Sequence, residues 1–121
     1  MENKKTLVLG ASLKPHRVSH QAIQRLVNAG HEVVAIGLRE GIVAGVSVQK
    51  DRPLLTAVDT LSLYLNARNQ EAFYDYIEEV NPKRIIFNPG AENIYLYQWA
   101  KSKGIEVENA CSLVMLALDQ Y

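Results

Sequence analysis

The stretch Thr6-Leu7-Val8-Leu9-Gly10-Ala11-Ser12-Leu13-Lys14-Pro15-His16-Arg17-Val18-Ser19-His20, continued by Gly30 and by His31-Glu32-Val33-Val34-Ala35-Ile36-Gly37, decides the fold. Thr6 to Leu9 is a short run of β-compatible residues closed by Gly10, the pattern of a strand buried on both faces of a parallel sheet. Val18, Ala22, Ile23, Leu26 and Val27 then recur at helical spacing, with Ser19 as the expected N-cap and Gly30 as the stop. His31 to Ile36 repeats the strand pattern and ends at Gly37. The first 37 residues therefore form one β-α-β unit, with a right-handed crossover expected.

The alternation continues outward from this unit. A short hairpin or edge strand is expected around Ile42 to Val48 and a strand over Leu61 to Leu65. Glu71 to Val80 has helical spacing, with Ala72, Tyr76, Ile77 and Val80 toward the sheet and Asn81-Pro82 as the stop. A strand over Arg84 to Phe87, a helix over Glu92 to Lys103 ended by Gly104, a strand over Ile105 to Val107 and a helix over Ser112 to Leu118 complete the chain. Such alternation defines an α/β class, a Rossmann-like open and mostly parallel sheet with helices on both faces.

At about 150 residues per domain, 121 residues predict a single domain over 1–121, and 48% hydrophobic residues suffice for its core. Thirteen Lys and Arg balance thirteen Asp and Glu, so the chain offers no electrostatic footprint for nucleic acid or an anionic membrane, and any anion site must be local. A lone cysteine excludes an internal disulfide, and Met1-Glu2-Asn3-Lys4-Lys5 leads into a strand rather than a signal-peptide apolar stretch; both point to a cytoplasmic address. The longest apolar run, Leu113 to Leu118, is far short of the roughly 18 to 20 residues that cross a bilayer.

Ligands of such sheets bind beyond the carboxyl ends of the strands, which directs attention to the loops there. The first loop supplies Gly10 and Ala11 for close approach, the hydroxyls of Ser12 and Ser19, Pro15, the cations Lys14 and Arg17, and the positive end of the following helix. It is neither the G-x-G-x-x-G dinucleotide fingerprint nor a Walker A loop, because Ser12 and Pro15 stand where glycines belong. In the second loop Gly37 and Arg39 suit a ribose phosphate better than the acidic residue of an NAD site would. Asn88 and Gly90 in a third loop repeat the pattern of amide and glycine before a helix.

Catalytic constellations are missing from this inventory. His16, His20 and His31 are scattered over a loop, a helix and a strand entry, so a metal site is not expected. Cys111, between an apolar strand and an apolar helix, is expected to serve packing. Tyr97 and Lys101 have the spacing of a dehydrogenase pair, but lie too late in too short a chain. Tyr64, Tyr74, Tyr76, Tyr95, Tyr97 and Trp99 fit helix and strand faces, with a homo-oligomer contact as one possible use.

The set Gly10-Ala11-Ser12, Pro15, Arg17, Ser19 and His20, followed by Gly30-His31-Glu32-Val33 and Asn109-Ala110-Cys111, resembles the CoA-binding domain family of small bacterial proteins, from about Thr6 to Leu118. The same fold forms the nucleotide-binding domain of the succinyl-CoA synthetase alpha subunit. The resemblance implies that the first loop and helix start hold the pyrophosphate of coenzyme A through Ser12 and Arg17, and that Arg39 meets its 3′-phosphate. The chain departs from the family where Gly37-Leu38 replaces an Asn-Pro pair, Leu65 an arginine, and Ile86 and Asn88 a Trp and a Gln; Arg68 is a nearby substitute for the arginine. Ligase activity is not expected to transfer with the fold. The expected function is non-catalytic binding of coenzyme A or acyl-CoA. The alternatives are an NAD(P)- or other nucleotide-binding enzyme or sensor, and a protein-interaction module whose nucleotide site has decayed.

Overall fold

In the computed structural model, which describes residues 2–121, strand and helix alternate as the hydrophobic pattern requires. The elements are β1 (Thr6–Ala11), α1 (Val18–Asn28), β2 (Val33–Gly37), β3 (Gly41–Val43), β4 (Val46–Gln49) and β5 (Thr60–Leu63). They are followed by α2 (Ala67–Gln70), a 3₁₀ turn (Glu71–Phe73), α3 (Tyr74–Val80), β6 (Arg84–Phe87), α4 (Ile94–Ser102), β7 (Glu106–Asn109) and α5 (Ser112–Ala117). The seven strands lie in the order β3-β4-β2-β1-β5-β6-β7, parallel throughout except for the antiparallel β3-β4 edge hairpin. This is the Rossmann-like architecture expected of the pattern.

Successive strand side chains point to opposite faces, and the central strands are apolar on both. Leu7, Leu9, Leu61, Leu63, Ile85 and Phe87 form one core with Tyr76, Ile77 and Val80 of α3 and Leu96 and Ala100 of α4. Val8, Ala35 and Ile86 form the other with Ile23 and Leu26 of α1 and Met115 of α5.

The segment 67–80 departs from the expectation of one helix from Glu71. It starts at Ala67, where Asn66 caps it by accepting the Asn69 N–H at 2.9 Å, and it tightens into 3₁₀ geometry before α3. The change of winding rotates Ala72 to the surface, whereas Tyr76, Ile77 and Val80 stay buried. Asn81 stops α3 in a left-handed conformation with φ 49°.

The amino edge of the sheet is locked by polar contacts. The Tyr121 and Thr6 hydroxyls lie 2.6 Å apart, and the Arg84 guanidinium stacks 4.6 Å from the Tyr121 ring centroid. His31, also against Tyr121, accepts the Lys4 backbone N–H on Nδ1 at 2.9 Å. Burial first, and the Lys4 ammonium second, hold the His31 pKa below its ordinary 6.5. The folded protein therefore keeps this imidazole neutral, while the unfolded chain takes up a proton as pH falls through 6.5. Its contribution to stability is full above that pH and declines as pH drops toward the lower folded value. Urea unfolding at about pH 7 and about pH 5 is expected to show a smaller acid loss in His31→Asn, which keeps an acceptor that does not titrate. Equal losses in the variant and the parent protein would contradict this.

Candidate functional site

β1 is flanked by β2 on one side and β5 on the other, so the direction of strand addition reverses at β1. The crevice beyond the carboxyl ends of these strands is the ligand position of an open α/β sheet. Two glycines let backbone close on backbone there. Gly10 adopts φ 97°, and a Cβ on it would lie 3.1 Å from both the Tyr64 carbonyl carbon and the Leu65 nitrogen. A Cβ on Gly37 would overlap the Ala11 carbonyl oxygen. The end of β1 is thus clasped between β2 and β5, and its pairing with β2 shifts register between Leu9 and Ala11.

The loop that leaves this clasp is shaped by its own hydrogen bonds. Ser12 Oγ accepts the Lys14 N–H at 3.1 Å, and the Lys14 carbonyl accepts the Arg17 N–H at 3.0 Å. Arg17 is extended, with φ −77° and ψ 143°, and its carbonyl accepts the first helical bond from Gln21 at 3.2 Å. Arg17, not Ser19, is therefore the N-cap. Ser19 lies inside the first turn and is buried, so it offers the crevice a backbone N–H rather than a cap hydroxyl. Asn66 and Asn93 cap α2 and α4 with their side chains, but α1 has no side-chain cap and no acidic residue in its first turn. Its leading N–H groups keep their positive potential.

Lys14, Pro15 and Arg17 are exposed on this loop. Arg39 is exposed in the bend after β2, and Leu13 against Gly41 brings that bend beside the first loop. Among the described residues Lys14, Arg17 and Arg39 form no ion pair.

The third loop is built differently. Asn88 is buried; its Nδ2 donates to Ser62 Oγ and the Leu63 carbonyl, both at 2.9 Å, and its Oδ1 accepts the Ser112 N–H at 2.8 Å. The Ser62 and Ser112 hydroxyls bond each other at 2.9 Å. Both amide hydrogens and the amide oxygen are thereby engaged inside the protein, so Asn88 ties β5, β6 and α5 together instead of presenting its amide to a ligand. Tyr64 lies close to this serine pair without a hydrogen bond to either, and burial pushes its phenol up to about 12. Gly90, with φ 95°, is exposed and open.

A second clamp escaped the sequence reading. Buried Gln70 donates from Nε2 to the Leu65 carbonyl at 2.8 Å and the Ala91 carbonyl at 2.7 Å, and its Oε1 accepts from Asn93 at 2.9 Å. It holds the loops after β5 and β6 at a fixed spacing and backs an open cavity of about 470 Å³ lined by Ala67, Arg68, Glu71, Tyr74, Asn93 and Tyr95. The Asn66-x-x-Asn69 start of α2 was the available signal, since it carries a helix through Gln70. Leu65 lies against Gly10, and Arg68 belongs to this cavity.

The histidines do not converge: His16 is exposed, His20 is buried in α1, and His31 is at the amino edge. Cys111 is half-buried as the N-cap of α5. Among the described residues no three His, Cys, Asp or Glu side chains are grouped to hold a metal ion, and no helix is long and apolar enough to cross a membrane.

A clasped strand end facing an uncapped helix N-terminus, at the switch point of a parallel sheet, defines a Rossmann-like domain of the ligand-binding type. Residues 4–117 match the model of the CoA binding domain, and the chain belongs to that family. A crystal structure of an uncharacterized protein is 41% identical, with 100% of each chain covered and a TM-score of 0.96. A protein from Thermus thermophilus is 20% identical over 98% of this chain and 91% of its own, with a TM-score of 0.85. Prb, a protein redesigned for binding, is 18% identical over 98% of this chain and 84% of its own, with a TM-score of 0.84. These last two likenesses are of fold. No curated protein matches the sequence.

Two substitutions test the architecture. Gly37→Ala is expected to lower unfolding stability by about 3 kcal/mol, because the new methyl group must displace the Ala11 carbonyl. Asn88→Ala is expected to cost about 2 to 3 kcal/mol through unpaired buried partners. Urea denaturation measures both, and a loss under about 1 kcal/mol in either would contradict the corresponding contact.

Proposed function

We propose that the chain acts as one domain over 1–121 that binds coenzyme A or an acyl-CoA without catalysing a reaction. The family match over residues 4–117 carries this reading. The first loop fits the ligand's chemistry: coenzyme A brings several phosphate charges to a protein of zero formal net charge, and uncompensated positive groups lie beside one another at the switch point.

In this reading Gly10 and Ala11 allow the pyrophosphate to approach the backbone. The N–H groups at the start of α1, Ser19 included, donate to it. Ser12 uses an oxygen lone pair on Lys14 and keeps its hydroxyl proton for a phosphate oxygen. Lys14 and Arg17 supply charge, Pro15 stiffens the turn between them, and Arg39 beyond Gly37 receives the 3′-phosphate. Gly90 leaves room for the pantetheine arm to cross the end of β6.

Calorimetric titration with coenzyme A tests the assignment. Arg17→Ala is expected to weaken binding by about 1 to 2 kcal/mol, roughly five- to thirtyfold in Kd, as a solvent-exposed charge-assisted contact is lost. Unchanged affinity, or tighter binding of NADPH than of coenzyme A by the parent protein, would overturn the reading.

A further inference from the structure

The cavity of about 470 Å³ beyond β5 and β6 is not used by the phosphate contacts above. Its walls are chemically specific. Arg68 is exposed and, among the described residues, forms no ion pair. Tyr74 and Tyr95 face each other with ring centroids 5.4 Å apart. Asn93 donates from Nδ2 to the Tyr74 hydroxyl oxygen at 2.9 Å, which leaves the phenolic proton available to an acceptor in the cavity. Asn93 is itself fixed, because Nδ2 also donates to Gln70 and Oδ1 accepts the Leu96 N–H at 3.2 Å. Ala67 supplies a methyl group, and among the described residues no branched aliphatic side chain lines the space. A fatty acyl chain would leave the Arg68 and Tyr74 donors unused, whereas an acyl group with a terminal acceptor engages them.

We infer that this cavity receives the acyl group of a bound acyl-CoA, and that the group it fits is short and ends in a carboxylate. The inference rests on the proposed coenzyme A site. It adds the class of acyl group carried.

The topology places the two regions within reach. β5 is next to β1, and β6 is next to β5, so the loops after β5 and β6 that border the cavity follow the first loop along the carboxyl edge of the sheet. A pantetheine arm running across the strand ends past Gly90 leads from the first loop toward the cavity. The terminal carboxylate then meets the Arg68 guanidinium, which presents paired donors, and the Tyr74 hydroxyl. Glu71 lines the same cavity one turn after Arg68 and opposes an anion. It offsets part of the Arg68 attraction, so the remaining preference comes from the paired guanidinium donors and the Tyr74 hydroxyl and is small.

The test compares glutaryl-CoA, valeryl-CoA and free coenzyme A by calorimetry on the intact protein. The two acyl groups have the same number of carbons and differ in the terminal carboxylate. Glutaryl-CoA is expected to bind about fivefold tighter than valeryl-CoA, the size of an exposed ion pair. Arg68→Gln is expected to erase that difference, and Glu71→Gln to widen it. Equal binding of the two acyl-CoAs by the parent protein would overturn the inference and leave the coenzyme A reading in place. So would a loss in Arg68→Gln shared equally by all three ligands, because the cavity would then hold part of coenzyme A itself. Binding of none of the three would overturn the coenzyme A reading and the inference with it.

Discussion

The Ala11 carbonyl passes where a side chain on residue 37 would stand, and the absence of that side chain lets the end of β2 close on the end of β1. On the other flank Gly10 brings the same strand end against the backbone of Tyr64 and Leu65. These two approaches fix where the first loop leaves the sheet. They also fix the entry of α1 and the direction in which its leading N–H groups point. Interiors at crystal-like packing density cannot absorb an added methyl group at such a contact without moving backbone. The first loop is accordingly preorganised by main-chain packing, and its own side chains remain available.

Polar clamps extend this order across the rest of the carboxyl edge. Asn88 joins β5, β6 and α5 through Ser62 and Ser112, and Gln70 joins the loops after β5 and β6. Each is buried with its amide hydrogens bonded, the condition under which a buried polar network specifies one arrangement. Charged residues of the same edge, Lys14, Arg17, Arg39 and Arg68, are exposed. Neutral amides hold the frame, while cations face the solvent and any ligand.

The sequence made the class of fold legible because continuous apolar strands and a 3.6-residue helix period are global signals that survive local exceptions. The β-α-β start follows from such signals, whereas the stop at Asn81 follows from the local Asn81-Pro82 pair. Ser19, a serine beside an apolar run, has the chemistry of a cap, while the backbone turn through Lys14 and Arg17 that sets the true helix start is invisible in composition. Asn88 illustrates the same gap at the site. An amide in a loop before a helix suggests ligand contact, and only its pairing with Ser62 and Ser112, distant in sequence, shows that the chain itself uses it. Gln70 carried no local pattern tying it to the loop at Ala91, since that contact exists only once the strands are in register.

Main-chain packing at Gly10 and Gly37 sets the start of α1, which in the proposed function receives the pyrophosphate of coenzyme A. Backbone amide NMR of the nucleotide-stripped protein, titrated with coenzyme A, tests it most directly. The largest shift changes are expected at the amides of Ser12 and of Arg17 to His20, with the amides of the β3-β4 hairpin tip unmoved. Saturable binding that leaves the amides of Arg17 to His20 unchanged would contradict it.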